Sequence, residues 1–282
     1  MFGSHLSIAG GMHNALLGAE ALGMDTVQVF TKNQQQWKCN PLSGNVVSQW
    51  GDHQKRLKFR KTVSHDSYLI NLASFDDRLW EASIELFVEE VNRCELLGIP
   101  YLVTHPGAHM GHGEEAGLAR VAKALDRVHD VLPDAAVITC LEITAGQGSS
   151  LGYKLEHLAE IIDKVRAPKG LGVCLDTAHL FAAGYDFRGR KYNTFRKQLD
   201  SVIGVKRVKV LHLNDSKKDL GSRVDRHDHI GQGKIGLSGF TPFVRDDAFT
   251  AVPKILETPK DKHPSGVDWD AVNLQTLRSL MR

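Results

Sequence analysis

Hydrophobic positions along the chain fall into two alternating lengths. Short apolar runs predict strands at 3–8, 26–30, 61–65, 101–105, 136–142, 172–176, 208–214 and 251–257. Between and after them, apolar residues recur at helical spacing over 12–22, 46–60, 79–97, 114–132, 155–165, 194–203, 237–246 and 270–280. Eight strand–helix alternations in 282 residues predict a single α/β domain, 1–282, built as a (β/α)8 TIM barrel closed by right-handed crossovers. The competing architecture, an open doubly wound sheet, announces itself with a glycine-rich phosphate turn after the first strand. Here that turn reads Ser7-Ile-Ala-Gly-Gly-Met12 and lacks the fingerprint. The longest predicted loops are 215–236 and 31–44.

Composition changes this picture little. The chain is 42% hydrophobic and 24% charged, ordinary for a globular protein, with no apolar run of membrane-spanning length. Met1 leads directly into Gly3, Ser4 and His5, so no signal peptide is expected and the cytoplasm is the expected location. Cys39, Cys94, Cys140 and Cys174 show no Cys-x-x-Cys spacing and read as reduced thiols. A net charge of +2 does not by itself point to a nucleic acid. The anomaly is histidine, present fourteen times and often at the ends of apolar runs.

In a parallel barrel the reactive groups gather at the carboxyl ends of the strands. The third to eighth predicted strands end on or near His65, His105, Glu142, Asp176, His212 and Glu257, a succession no packing rule requires. Asp176 alone could be the N-cap of a following helix, but His179 three residues later offers an imidazole to the same cavity. The loop after the seventh strand adds Asp225, Arg226 and His227. Imidazole and carboxylate without cysteine favour zinc, manganese or iron. Nine such groups are enough for three ions sharing a carboxylate, an arrangement suited to phosphoester hydrolysis.

Seven segments carry a resemblance in the correct order: His65-Asp-Ser-Tyr-Leu-Ile-Asn71, His105-Pro-Gly107, Glu142-Ile-Thr-Ala-Gly-Gln-Gly148, Leu175-Asp-Thr-Ala-His179, His212-Leu-Asn-Asp-Ser-Lys217, Asp225-Arg-His227 and Leu256-Glu-Thr-Pro259. Together with His5-Leu-Ser-Ile-Ala-Gly-Gly11, the chain closely resembles the endonuclease IV family of apurinic/apyrimidinic endonucleases over nearly its whole length. The resemblance implies a zinc-dependent enzyme of base excision DNA repair. It would cleave the phosphodiester 5′ to an abasic site in double-stranded DNA, leave a 3′-hydroxyl and a 5′-deoxyribose phosphate, and also trim blocked 3′ ends.

It further implies three zinc ions, with manganese an option at one site. The first would be held by His65, His105 and Glu142, and the second by Glu142, Asp176, His212 and Glu257. The third would take His179, Asp225 and His227. Glu142 and Glu257 would be catalytic, Glu257 by orienting the attacking oxygen. Tyr68 and Leu69 match wedge residues pushed into the duplex, and Asn33, Gln35 and Arg226 match positions at the DNA surface.

Two departures weaken the expected DNA contacts: Gln35 stands where the family carries arginine, and Ile143 where it carries asparagine. His109, His112 and His229 are expected at the surface or behind the ligands, and His5 near the cluster without binding it. A monomer with no membrane attachment is expected. Rival readings are a divalent-metal sugar isomerase or epimerase on the same barrel, which needs fewer ions, and a noncatalytic binder of damaged DNA, which would be expected to have lost ligands.

Overall fold

The computed structural model describes residues 1–281. Barrel strands are β1 (Phe2–Ser4), β2 (Gln28–Phe30), β3 (Val63–His65), β4 (Tyr101–Thr104), β5 (Ile138–Glu142), β6 (Leu171–Asp176), β7 (Val208–His212) and β10 (Lys254–Leu256). Between the last two lies a short antiparallel hairpin, β8 (Asp215–Ser216) with β9 (His227–Asp228). Helices are α1 (His13–Ala21), α2 (Gly44–Leu57), α3 (Asp77–Leu97), α4 (Glu114–Val131), α5 (Leu155–Lys164), α6 (Thr177–Ala183), α7 (Tyr192–Val202), α8 (Leu237–Arg245) and α9 (Trp269–Ser279).

The eight barrel strands are parallel in the order β1-β10-β7-β6-β5-β4-β3-β2. A parallel bridge between His5 and Gln28 spans the seam between β1 and β2. The TIM barrel expected from the alternation is therefore the architecture observed.

Strand periodicity accounts for the interior. Successive side chains point to opposite faces, so residues two apart share one. Val63, Val103, Cys140, Cys174, Val210 and Ile255 form a fully buried cluster inside the barrel. Two residues onward stand His65, His105, Glu142, Asp176, His212 and Glu257, directly above that apolar floor. The opposite faces join the helices in a separate, larger apolar core containing Trp50, Phe87, Leu102, Leu141 and Leu175. The paired floor and ligand positions thus follow from a period of two.

Two elements depart from the predicted pattern. The helix expected after β6 at 194–203 is α7, but α6 comes first and begins immediately after Asp176. Asp176 Oδ1 accepts from the His179 backbone N–H at 2.8 Å and starts that helix, while Gly184 at φ +106° ends it in the left-handed region. The second departure is the β8–β9 hairpin inside the predicted 215–236 loop. Its register sets Ser216 opposite His227 and returns the chain to the barrel mouth.

Candidate metal centre

Glu142 lies fully buried at the middle of the mouth. Its Oε2 is 3.2 Å from His65 Nε2 and 3.2 Å from His105 Nε2, and its Oε1 is 3.0 Å from His212 Nδ1. Three overlapping groups surround it, and within each the donor atoms lie no more than 4.8 Å apart: His65, His105 and Glu142; Glu142, Asp176, His212 and Glu257; and Asp176, His179 and His227. Asp225 joins the third group, with Oδ2 3.1 Å from His179 Nε2 and Oδ1 3.2 Å from His227 Nε2. The structure brings together all nine side chains expected to hold metal. Asp176 faces two groups at once: Oδ1 caps α6, and Oδ2 lies 3.7 Å from His227 Nε2. The cap and the ligand readings of this residue are two uses of one carboxylate.

Each of four rings has one nitrogen committed to a partner outside the cluster. His65 Nδ1 donates to the Asp66 carbonyl at 3.0 Å, His179 Nδ1 to the Ile143 carbonyl at 2.9 Å, and His227 Nδ1 to the Glu257 carbonyl at 3.1 Å. A carbonyl oxygen only accepts, so these rings carry hydrogen on Nδ1 and turn Nε2 toward the cluster. His212 is reversed. Its Nε2 donates to the Gln28 side-chain oxygen at 2.8 Å and its Nδ1 faces Glu142 and Glu257.

Without metal the cluster is a network of imidazolium and carboxylate. Burial opposes charge on His65, but Asp66 and Glu142 outweigh it and hold the ring well above the ordinary imidazole range. Burial would raise Glu142 as well, yet His212 and His105 pull it well below the usual carboxylate range. His227 is held at about 9, because Asp176 and Asp225 overcome its burial. Beneath them burial pushes the Cys174 thiol up to about 12 and Cys140 well above its usual value, so the floor is neutral.

The fit to divalent metal is tested by an orphan atom. Among the described residues, buried His227 Nε2 makes no well-formed hydrogen bond, although Asp225 Oδ1 and Asp176 Oδ2 stand 3.2 and 3.7 Å from it. A ring nitrogen set among carboxylates, on a ring whose other nitrogen is pinned, is placed to exchange its hydrogen for a divalent ion.

Sequence reasoning missed the supports. Gln28 is a fully buried amide between Val27 and Val29, and a polar residue inside an apolar strand was its available signal. Asn214 donates from Nδ2 to Asp176 Oδ2 at 2.6 Å and accepts from the Glu257 N–H at 2.7 Å. Cys174 comes within reach of Glu142 and His212 only because β5, β6 and β7 are neighbours.

Above the centre opens a cleft of about 810 Å³ lined by Phe30, Asn33, Gln34, Tyr68, Arg226 and Lys260 among others. It adjoins a second hollow of about 500 Å³ that shares Tyr68 and Arg226. Tyr68 projects with 70% of its surface exposed, whereas Leu69 is half-buried against the outer core. Asn33 lines the cleft, and its Oδ1 accepts from the backbone N–H of exposed Gln35 at 2.9 Å.

Three further features shape the rim. Ile143 is fully buried in the outer core and meets the centre only through its carbonyl, so its side chain has no surface for DNA to contact. Lys32, in the loop that carries Gln35, is buried and its Nζ donates to the carbonyls of Asn33 at 2.9 Å and Gln36 at 2.6 Å, so it staples the loop and cannot stand in for an arginine at position 35. His109 and His112 do not reach the cluster: His109 Nδ1 accepts from the Gly111 and Gly113 N–H groups, and His112 stacks on Phe75.

A parallel barrel with overlapping histidine–carboxylate groups at its carboxyl mouth defines a class of enzyme, the metal-site TIM barrels. Residues 17–280 match the family described as xylose isomerase-like TIM barrel. The chain is 49% identical to the probable endonuclease 4 of Chloroflexus aurantiacus over 282 residues, covering 100% of this chain and 98% of that one. It superposes on the crystal structure of endonuclease IV from Thermus thermophilus with a TM-score of 0.87 at 35% identity, covering 99% and 98% of the two chains. A D-tagatose 3-epimerase-like protein matches with a TM-score of 0.75 at 18% identity over 99% and 96%, a likeness of fold alone. The chain belongs to the endonuclease IV family. It is accordingly an apurinic/apyrimidinic endonuclease, a phosphodiester hydrolase.

Proposed function

We propose that this chain, acting in the cytoplasm as a single-domain monomer, cleaves double-stranded DNA on the 5′ side of an abasic site. The products are a 3′-hydroxyl and a 5′-deoxyribose phosphate, and the same site trims blocked 3′ ends. The observation that carries this reading is the convergence of nine imidazole and carboxylate side chains around Glu142, under a cleft open enough for a nucleic-acid backbone.

His65, His105 and Glu142 would hold one zinc ion. Glu142, Asp176, His212 and Glu257 would hold a second, and His179, Asp225 and His227 a third, with manganese an alternative at one site. Divalent ions bound there would neutralise the phosphate and lower the pKa of an attacking water. The protein's own part is positioning. Glu142 bridges two groups, the pinned imidazoles present fixed lone pairs, and Glu257 orients the attacking oxygen. At the rim, exposed Tyr68 can enter the space left by a missing base, while Arg226 and Asn33 offer donors to phosphate. Leu69 would follow Tyr68 into the duplex only by leaving its half-buried seat.

A sugar isomerase would have no use for the Asp225–His227 segment, which builds a third group at the lip. Three divalent ions would also lift the net charge from +2 to about +8, so DNA binding is expected to require metal and to weaken as salt rises. The test is incubation with a duplex carrying one abasic analogue. Cleavage on its 5′ side, lost with a chelator and restored by zinc, is the expected result. Cleavage that persists in the chelator, or none with zinc present, would overturn the reading.

A further inference from the structure

Gln28 lies on β2, across the barrel seam from β10 and β7, and it is fully buried. Its side-chain amide touches three groups at the mouth. Nε2 donates to Glu257 Oε1 at 2.6 Å and is 2.9 Å from His5 Nδ1, and Oε1 accepts from His212 Nε2 at 2.8 Å. The orientation of the amide is dictated by its partners. Turned over, it would set an oxygen against the Glu257 carboxylate, acceptor against acceptor, and a donor against a ring nitrogen that would then have to give up its hydrogen.

The consequences reach the two side chains it holds. An acceptor at Nε2 keeps hydrogen there, so the nitrogen that gives up its hydrogen when a divalent ion binds is Nδ1, the atom 3.0 Å from Glu142 Oε1 and 3.1 Å from Glu257 Oε2. A donor on Glu257 Oε1 occupies that oxygen and leaves Oε2 facing the cluster. The other pinned rings rely on backbone carbonyls and present Nε2. His212 alone among these four presents Nδ1, and a side chain makes that choice.

We infer that Gln28 is a positioning residue which selects Nδ1 of His212 and Oε2 of Glu257 as the donor atoms of the group around Glu142 and Asp176. The inference rests on the metal reading of the site, and its test separates the two. Gln28→Met keeps the length of the side chain and removes its polar contacts to Glu257, His5 and His212; Gln28→Glu keeps an acceptor for His212 and removes the donor to Glu257.

Zinc-loaded parent protein, with its histidines ¹⁵N-labelled, should show His212 bound through Nδ1 with its hydrogen on Nε2. Gln28→Met should show a mixture and should hold zinc roughly 10–100-fold more weakly in competition with a chelator. Gln28→Glu should keep the parent tautomer and lose less affinity. A Gln28→Met protein with the parent's tautomer and zinc affinity overturns the inference. Should that variant not fold, a Gln28→Glu protein that binds zinc as tightly as the parent overturns it. Failure of the parent to bind zinc would defeat the metal reading, and slow solvent exchange of the His212 Nε2 hydrogen in the metal-free parent, lost in Gln28→Met, would still decide the role of Gln28.

Discussion

The two halves of the candidate metal centre are built differently. His65, Glu142, Asp176 and His212 sit on barrel strands, and His105 and Glu257 one residue beyond them; each follows a buried floor residue by two positions in a sheet whose hydrogen-bonded register sets its height. The third group hangs from other elements. His179 is on the first turn of α6, His227 on a two-residue strand, and Asp225 on the loop before it, with 43% of its side chain exposed. Asp225 is tethered through its N–H to Gln147 at 3.2 Å. Strand ends give rigid ligands because neighbouring strands hold them on both sides. A loop brings its ligand only after the loop itself has folded, and local opening costs less there.

The largest effect should come from the centre of the rigid half. Glu142→Ala removes the carboxylate shared by two groups, and cleavage should fall by about three orders of magnitude or more. The barrel should persist, as judged by circular dichroism. Activity near that of the parent would show that the strand-borne group is not the reaction centre.

Asp225→Asn should act on the other half alone. One equivalent of zinc should be lost while the other two stay, and cleavage should slow by roughly 100-fold, a single ligand's share on the scale of acid–base and electrostatic groups. Elemental analysis after dialysis reads this directly. Uniform loss of all metal would mean that the halves are not separable.

Acidity sharpens the contrast. In the metal-free protein the His227 ring titrates at about 9 rather than its ordinary 6.5. A protonated ring cannot ligate, so zinc affinity of the loop-borne group should fall as pH drops below about 9, by about tenfold per unit for each proton displaced. The sign for stability is opposite. A raised imidazole pKa contributes stability to the metal-free fold in full below 6.5 and loses it as pH rises through about 9. Calorimetry with and without zinc tests both slopes. Zinc affinity that is flat between these values would rule out the imidazolium network.

The smallest effect belongs to the rim. Gln35 is exposed, and Lys32 of its loop is spent on backbone carbonyls, which leaves exposed Lys38 as the nearby cation. Gln35→Arg should tighten binding to an abasic duplex by about 1 kcal/mol, the scale of one charge-assisted hydrogen bond. The rate at saturation should hardly change. Equal affinity at low salt would mean that position 35 does not reach DNA.

Much of this was readable from the chain. Alternating run lengths specify strands and helices because burial acts on a local period, and the order of eight such units leaves few closures other than a barrel. The same period explains why the clustering of six candidate ligands at strand ends was legible: each residue's face is set by its own strand. His179 was legible too, because a helix beginning at Asp176 carries it one turn onward.

What only the tertiary structure decided concerns partners far apart in sequence. Gln28 meets His212 and Glu257, Asn214 meets Asp176, and Asp225 closes on His179. Ile143 turned inward while its carbonyl turned to the centre, and Lys32 bent back onto its own loop. Hydrophobic periodicity registers which face is buried. It carries no information on which nitrogen of a ring, or which oxygen of a carboxylate, will be taken by a neighbour, because that is set by hydrogen-bond partners that only the closed barrel brings within reach.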